Sequence, residues 1–221
     1  MAEDRCRVFI ESLDRGNKDY LDALERESIE NRVPIIRRQT QSLLRVLLTQ
    51  CRPESILEIG CATGFSALLM AAYTGPDTTI TTIEKYEKRI PIALENFRKY
   101  PGGEKISLLE GDALDILQGL LPAKKGAYDF VFMDAAKAQY INFLPYVNEL
   151  LSEGGFLVSD NVLQEGDILE SRYAITRRDR TIHKRMREYL KTISDGSLYE
   201  TTILPIGDGM ALSVKKGNKQ E

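Results

Sequence analysis

The 221-residue sequence has no tryptophan and one histidine, His183. A single histidine excludes a His-based metal cluster and gives a Ser-His-Asp site thin support. The three cysteines, Cys6, Cys51 and Cys61, are odd in number and lack C-x-x-C spacing, which argues against a disulfide framework or a zinc site. Any metal must therefore be held by oxygen. No apolar run approaches the length of a membrane span and the N-terminus is polar, so a cytoplasmic protein with no membrane contact is expected.

What is present is ordinary for a soluble globular chain: 43% hydrophobic and 29% charged residues, with a length that suits one α/β domain over residues 1–221. The net charge of −3 hides an asymmetry. Residues 172–191 hold eight Lys and Arg against Asp179 and Glu188, a local +6, so the remainder of the chain sums to −9.

The chain is organised around Ser55-Ile-Leu-Glu-Ile-Gly-Cys-Ala-Thr-Gly-Phe-Ser66. Ile56, Leu57 and Ile59 form a short apolar run that breaks at Gly60 and Gly64, and Leu68, Leu69 and Ala72 then follow at helical spacing. Strand, tight turn and helix in that order bring backbone N–H groups and a helix N-terminus against a bound nucleotide. A dinucleotide fingerprint would place glycine at position 62, where this chain has Ala62, and that disfavours a nicotinamide oxidoreductase. With the acid Glu58 two residues before Gly60, the stretch resembles motif I of the class I S-adenosylmethionine (SAM) methyltransferases.

Ahead of it, residues 1–51 read as an N-terminal helical cover. Val8, Phe9, Ile10 and Leu13 mark one helix, and Tyr20, Leu21 and Leu24 a second after a possible Asn17 cap. Past Pro34, residues 35–50 form a third through Leu43, Leu44, Leu47 and Leu48. A core over 55–216 then alternates strand and helix, with strands at about 55–60, 78–84, 106–110, 128–134 and 154–160. Runs at Leu198–Ile206 and Met210–Val214 flank Gly207-Asp-Gly209, a hairpin signal for an antiparallel pair. Lys215 to Glu221 reads as a frayed tail, with 217–221 beyond the core. The expected fold is a Rossmann-like α/β class I methyltransferase, a doubly wound, seven-stranded, mostly parallel sheet with an antiparallel C-terminal hairpin.

In such a sheet the strand C-termini face one crevice. Glu84 ends the second strand and could bind ribose hydroxyls, or be a solvated strand-end acid. Asp112 follows the third and could accept from an adenine amino group, or cap the next helix. The fourth strand delivers Asp134 and the fifth Asp160 and Asn161, although Asp-Asn is also a common turn pair. Two carboxylates and an amide carbonyl make a hard oxygen site suited to Mg²⁺.

From about Val33 to Lys216 the sequence resembles the metal-dependent O-methyltransferases of the catechol and caffeoyl-CoA type, through Asp134-Ala-Ala-Lys137-Ala-Gln-Tyr140 and Asp160-Asn161. The resemblance implies that Asp134, Asp160 and Asn161 bind Mg²⁺ and that Lys137 is the catalytic base, whereas the bland reading of Lys137 is a surface residue opening a helix. It also implies that Glu58, Gly60, Gly64, Ser66, Glu84, Asp112, Ala113 and Asp134 surround SAM, with the chain at Ile35 and Ile36 against the methionine part. Plant caffeoyl-CoA enzymes usually carry Asp-Ala-Asp-Lys, where this chain has Ala136. That departure and the segment from Arg172 to His183 look more like the bacterial branch that includes tRNA 5-hydroxyuridine methyltransferases.

A site with two open metal positions favours two adjacent oxygens, which catechols and 5-hydroxyuracil both supply. The basic stretch separates them: it is either a solvated helix face or the electrostatic footprint for an RNA backbone. Ile182, Met186, Tyr189, Leu190 and Ile193 recur at helical spacing, so the arginines should turn outward. The RNA-binding candidates are Arg172, Tyr173, Arg177, Arg178, Arg180, Lys184 and Arg185, with Tyr173 stacking on an unpaired base. The expected activity is Mg²⁺- and SAM-dependent O-methylation of 5-hydroxyuridine at the tRNA wobble position, with the anticodon loop as partner. The alternatives are methylation of a catechol-like or hydroxycinnamoyl small molecule, and a non-catalytic SAM-binding module. The resemblance suggests a homodimer.

Overall fold

Short apolar runs bounded by turn residues pair side by side, and the helices between them cover both faces of the resulting sheet. The structure, a computed structural model, describes residues 2–171 and 173–217, so Arg172 and the tail residues 218–221 lie outside the described residues. The strands are β1 (Ser55–Ile59), β2 (Thr79–Glu84), β3 (Ile106–Glu110), β4 (Tyr128–Met133), β5 (Leu151–Ser159), β6 (Tyr199–Leu204) and β7 (Met210–Lys215). They form one seven-stranded sheet in the order β3-β2-β1-β4-β5-β7-β6. The first five run parallel, and β7 pairs antiparallel with both β5 and β6. The order reverses between β1 and β4, which opens a crevice at the C-terminal ends of those strands.

Alternation along the strands sorts the core into two layers. Leu57, Val131, Met133 and Leu157 face one way, toward α6 (Ala113–Lys124), α7 (Tyr140–Leu150) and α8 (Arg180–Ile193). Ile56, Phe130, Phe132 and Val158 face the other. There they meet α2 (Asp19–Glu30), α3 (Arg38–Cys51), α4 (Phe65–Ala72) and α5 (Ile90–Lys99). Each fully buried Val, Leu, Ile or Phe stabilises the fold by about 1.5–3 kcal/mol. Because β4 is solvent-shielded on both faces, the frame beneath Asp134 is strongly held.

Several local expectations shift. The third helix begins at Arg38 rather than residue 35, because residues 34–37 stay extended up to the Arg37 N-cap (φ −65°, ψ 153°). Asn17 does not cap α2: its amide bonds Gln41 and Arg45, and Lys18 holds the cap position without a side-chain bond. The fifth strand starts at Leu151, three residues before the expected 154, because Leu151 already pairs with Tyr128. Lys215 is no part of a frayed tail: it ends β7, and its ammonium donates to Asn148 O and Leu151 O. In α1 (Ala2–Ser12) Val8, Phe9 and Ile10 are about 60% exposed, and Leu13 just beyond it 65%, so these apolar side chains are left uncovered among the described residues.

Candidate active site

The backbone at the C-terminal sheet edge keeps its ladder past the strands. Asp134 N–H donates to Ile59 O and Asp160 N–H to Met133 O, which sets residues 60, 134 and 160 side by side. Gly60 has φ +102°, and a Cβ there would lie 2.1 Å from Asp134 O. Only glycine lets β1 end against β4. Gly64 (φ +87°) opens α4, and a Cβ would strike the Phe97 ring. Between them Ala62 adopts φ +49° and its N–H donates to Glu84 Oε2 at 2.7 Å.

A cavity of about 980 Å³ opens over this edge, lined by the glycine turn, the segment 34–37, the ends of β2 and β4, and the loop after β5. Gly60, Ser66, Glu84, Asp112, Ala113, Asp134, Lys137, Asn161 and Ile36 all line it. Glu58, Gly64 and Asp160 do not, and they act from beneath the surface. Glu58 is fully buried, with its two oxygens accepting from Ser66 Oγ and Thr82 Oγ1. Burial, above all, and the charges of Asp134 and Glu84 push its carboxyl up to about 7.

Glu84 accepts from the N–H groups of Ala62, Lys85 and Tyr86 at 2.7–2.9 Å. These bonds orient the carboxylate at the cavity edge and leave it acceptor capacity for a ligand. Asp112 caps α6 by accepting from Leu114 N–H at 2.9 Å while also lining the cavity.

The two acids at the centre differ. Asp134 Oδ1 accepts from Lys137 Nζ at 2.8 Å and Asn161 Nδ2 at 2.9 Å. Asp160 is 2% exposed, accepts from Asn161 N–H at 2.8 Å, and is pushed up to about 7 by burial and then by the charge of Asp134. Asn161 holds φ +58°, a left-handed conformation that non-glycine residues adopt at cost and that is enriched at functional sites. Among the described residues no group of three or more His, Cys, Asp or Glu side chains converges as a metal cage. The donor set is two carboxylates and one amide, and it fits a hard cation on two grounds. A positive charge would relieve the repulsion between Asp134 and Asp160. The Asn161 amide, whose two ends are nearly isosteric, can turn its oxygen inward by giving up its bond to Asp134.

The basic candidates border the site without entering it. Asp179 and Ile182, at the start of α8, line the cavity, whereas Tyr173, Arg177, Arg178, Arg180, Lys184 and Arg185 do not. Tyr173 is 90% exposed. The arginines do not all turn outward: Arg185 donates to Ala138 O, Arg187 to Ile168 O and Arg180 to Ile175 O. They tie α8 to the loops around it. Residues without a local sequence signal also frame the cavity, notably Arg37 paired with Asp208 at 2.6 Å across the hairpin tip.

A sheet of this order, with its glycine turn, strand-end carboxylate and crevice at the switch point, defines a Rossmann-like SAM-dependent methyltransferase. Residues 11–216 match the O-methyltransferase family model Methyltransf_3. Caffeoyl-CoA O-methyltransferase 5 of Nicotiana tabacum is 33% identical over 172 residues, spanning 76% of this chain and 72% of the relative. A solved Staphylococcus aureus structure, described as that of a candidate caffeoyl-CoA O-methyltransferase, has 32% identity and TM-score 0.84, covering 95% of this chain and 98% of its own. The SAH-bound methyltransferase PaMTH1 of Podospora anserina has 26% identity and TM-score 0.83, covering 98% and 96%. The chain belongs to this family of O-methyltransferases, of the caffeoyl-CoA O-methyltransferase type, and uses SAM as methyl donor.

Proposed function

We propose that the enzyme is Mg²⁺-dependent and methylates 5-hydroxyuridine at the wobble position of tRNA to 5-methoxyuridine, in the cytoplasm. The observation that carries this reading is the position of the basic stretch: α8 begins at the cavity wall through Asp179 and Ile182, beside Asp134, Lys137 and Asn161. A phosphate backbone drawn to Arg177, Arg178 and Lys184 would bring an unstacked loop base to the cavity. Tyr173 offers a ring on which a neighbouring base could stack. Arg172 is part of the same reading by sequence alone.

In this mechanism the glycine turn and Glu84 hold the nucleoside end of SAM, and the segment at Ile36 borders the methionine end. Asp134, Asp160 and Asn161 would hold Mg²⁺, which supplies positive charge that favours the ionised form of an acceptor hydroxyl and orients it. Lys137 reaches into the cavity beside Asp134 and, as the neutral amine once the cation replaces its ammonium as the positive partner of Asp134, would take the hydroxyl proton at Nζ. Alignment of the acceptor oxygen with the SAM methyl then rests on the cavity walls.

A second reading, O-methylation of a catechol-like or hydroxycinnamoyl acceptor, is favoured by relatives named caffeoyl-CoA O-methyltransferases at 31–33% identity. A homodimer is supported by the exposed apolar face of α1. The test of the tRNA reading is nucleoside analysis of tRNA from cells with and without the gene. Accumulation of 5-hydroxyuridine with loss of 5-methoxyuridine supports it, and an unchanged tRNA profile contradicts it.

A further inference from the structure

Tyr140, the first residue of α7, is fully buried beneath the acid pair, and its hydroxyl meets four groups. It lies 3.1 Å from both Met133 O and Asp160 O, and it receives Ala135 N–H and Lys137 Nζ, each at 3.3 Å. A phenol has one proton and two lone pairs. Here the proton is shared between two carbonyls and both lone pairs accept, so the hydroxyl is fully used. Met133 and Ala135 flank Asp134, and the remaining carbonyl is that of Asp160. One oxygen therefore ties the backbone on both sides of one carboxylate to the backbone of the other.

The ring is fixed as firmly as the hydroxyl. It packs edge-on against Tyr189 of α8 with centroids 5.5 Å apart, and the Tyr189 hydroxyl bonds Ser159 Oγ at 2.5 Å. Ser159 immediately precedes Asp160. Two helices thus press an aromatic pair against the ends of β4 and β5, but only Tyr140 reaches the residues on either side of Asp134.

We propose that Tyr140 is a positioning residue for the cation site, setting the separation of Asp134 and Asp160 so that both can reach one ion. The proposal rests on the Mg²⁺ reading given above. Groups that orient metal ligands typically change affinity 10–100-fold when removed.

The test is calorimetric titration of Mn²⁺, and separately of SAM, into wild type, Tyr140→Phe and Tyr189→Phe. Each variant removes one buried hydroxyl and keeps its ring, so Tyr189→Phe reports general loosening of the core. The expected result is Mn²⁺ affinity at least tenfold weaker in Tyr140→Phe, unchanged in Tyr189→Phe, and SAM affinity unchanged in both. Wild-type Mn²⁺ affinity in Tyr140→Phe, or equal weakening in the two variants, would overturn the proposal while leaving the metal reading intact. Failure of the wild-type chain to bind Mn²⁺ would overturn both.

Discussion

Gly60 and Asp134 meet because the sheet ladder continues one residue past β1 and β4, and the contact leaves no room for a side chain. In Gly60→Ala a methyl would sit 2.1 Å from a backbone oxygen at φ +102°. We expect a stability loss of about 1–3 kcal/mol and at least tenfold weaker SAM binding, read by thermal melting and calorimetry. Lys137→Ala should leave SAM affinity intact and lower turnover by about 10²–10⁴-fold, and near-normal turnover would remove Lys137 from the mechanism. Glu58 yields a pH prediction. Its folded carboxyl is raised from an ordinary 4.5 to about 7, so between those values the unfolded chain releases the proton first and stability falls as pH rises. Glu58→Gln lacks that proton, so its melting temperature relative to wild type should climb from pH 4.5 to 7 and then level off. A constant difference would mean that Glu58 does not titrate in this range. The sequence marked Glu58 as an acid beside a glycine turn. It could not place Glu58 behind the turn, because one of its two partners, Thr82, comes from the neighbouring strand.

At the scale of elements, the strands were legible because each is a short run punctuated by turn residues, and Gly207-Asp-Gly209 announced the final hairpin, whereas their order in the sheet depends on long-range pairing. Boundaries were also less legible. The start of β5 depends on Leu151 pairing with Tyr128, and the extended segment 34–37 is held partly by Arg37 reaching Asp208, 171 positions away. Neither partner can be seen from local pattern. The same limit applied to α8. Its buried stripe was readable, whereas the carbonyls that Arg180, Arg185 and Arg187 bind lie in one loop and two short 3-10 turns that no spacing rule links to α8. This narrows the cations free for a polyanion and points the test at Arg177 and Arg178. Replacing both with Gln should reduce the slope of log affinity for tRNA against log salt by about 2 while leaving SAM affinity unchanged, as filter binding and calorimetry would report. An unaltered slope would make that surface an ordinary solvated face.

For the whole molecule, the doubly wound sheet brings together residues from eight separate stretches, from Pro34 to Asp208, around one cavity. The glycine turn, Asp134 and the start of α8 meet there because the first five strands point the same way and the chain order reverses between β1 and β4. Among the described residues no helix is long and apolar enough to cross a membrane. The measurement that bears most directly on the account is methyl transfer from labelled SAM, with tRNA from cells lacking the gene, which keeps the 5-hydroxyuridine acceptor, and a panel of catechols offered in parallel, with and without chelator. The account predicts label in tRNA, recovered as 5-methoxyuridine, abolished by chelator and restored by Mg²⁺. Label confined to catechols, or transfer to tRNA that persists in chelator, would contradict it.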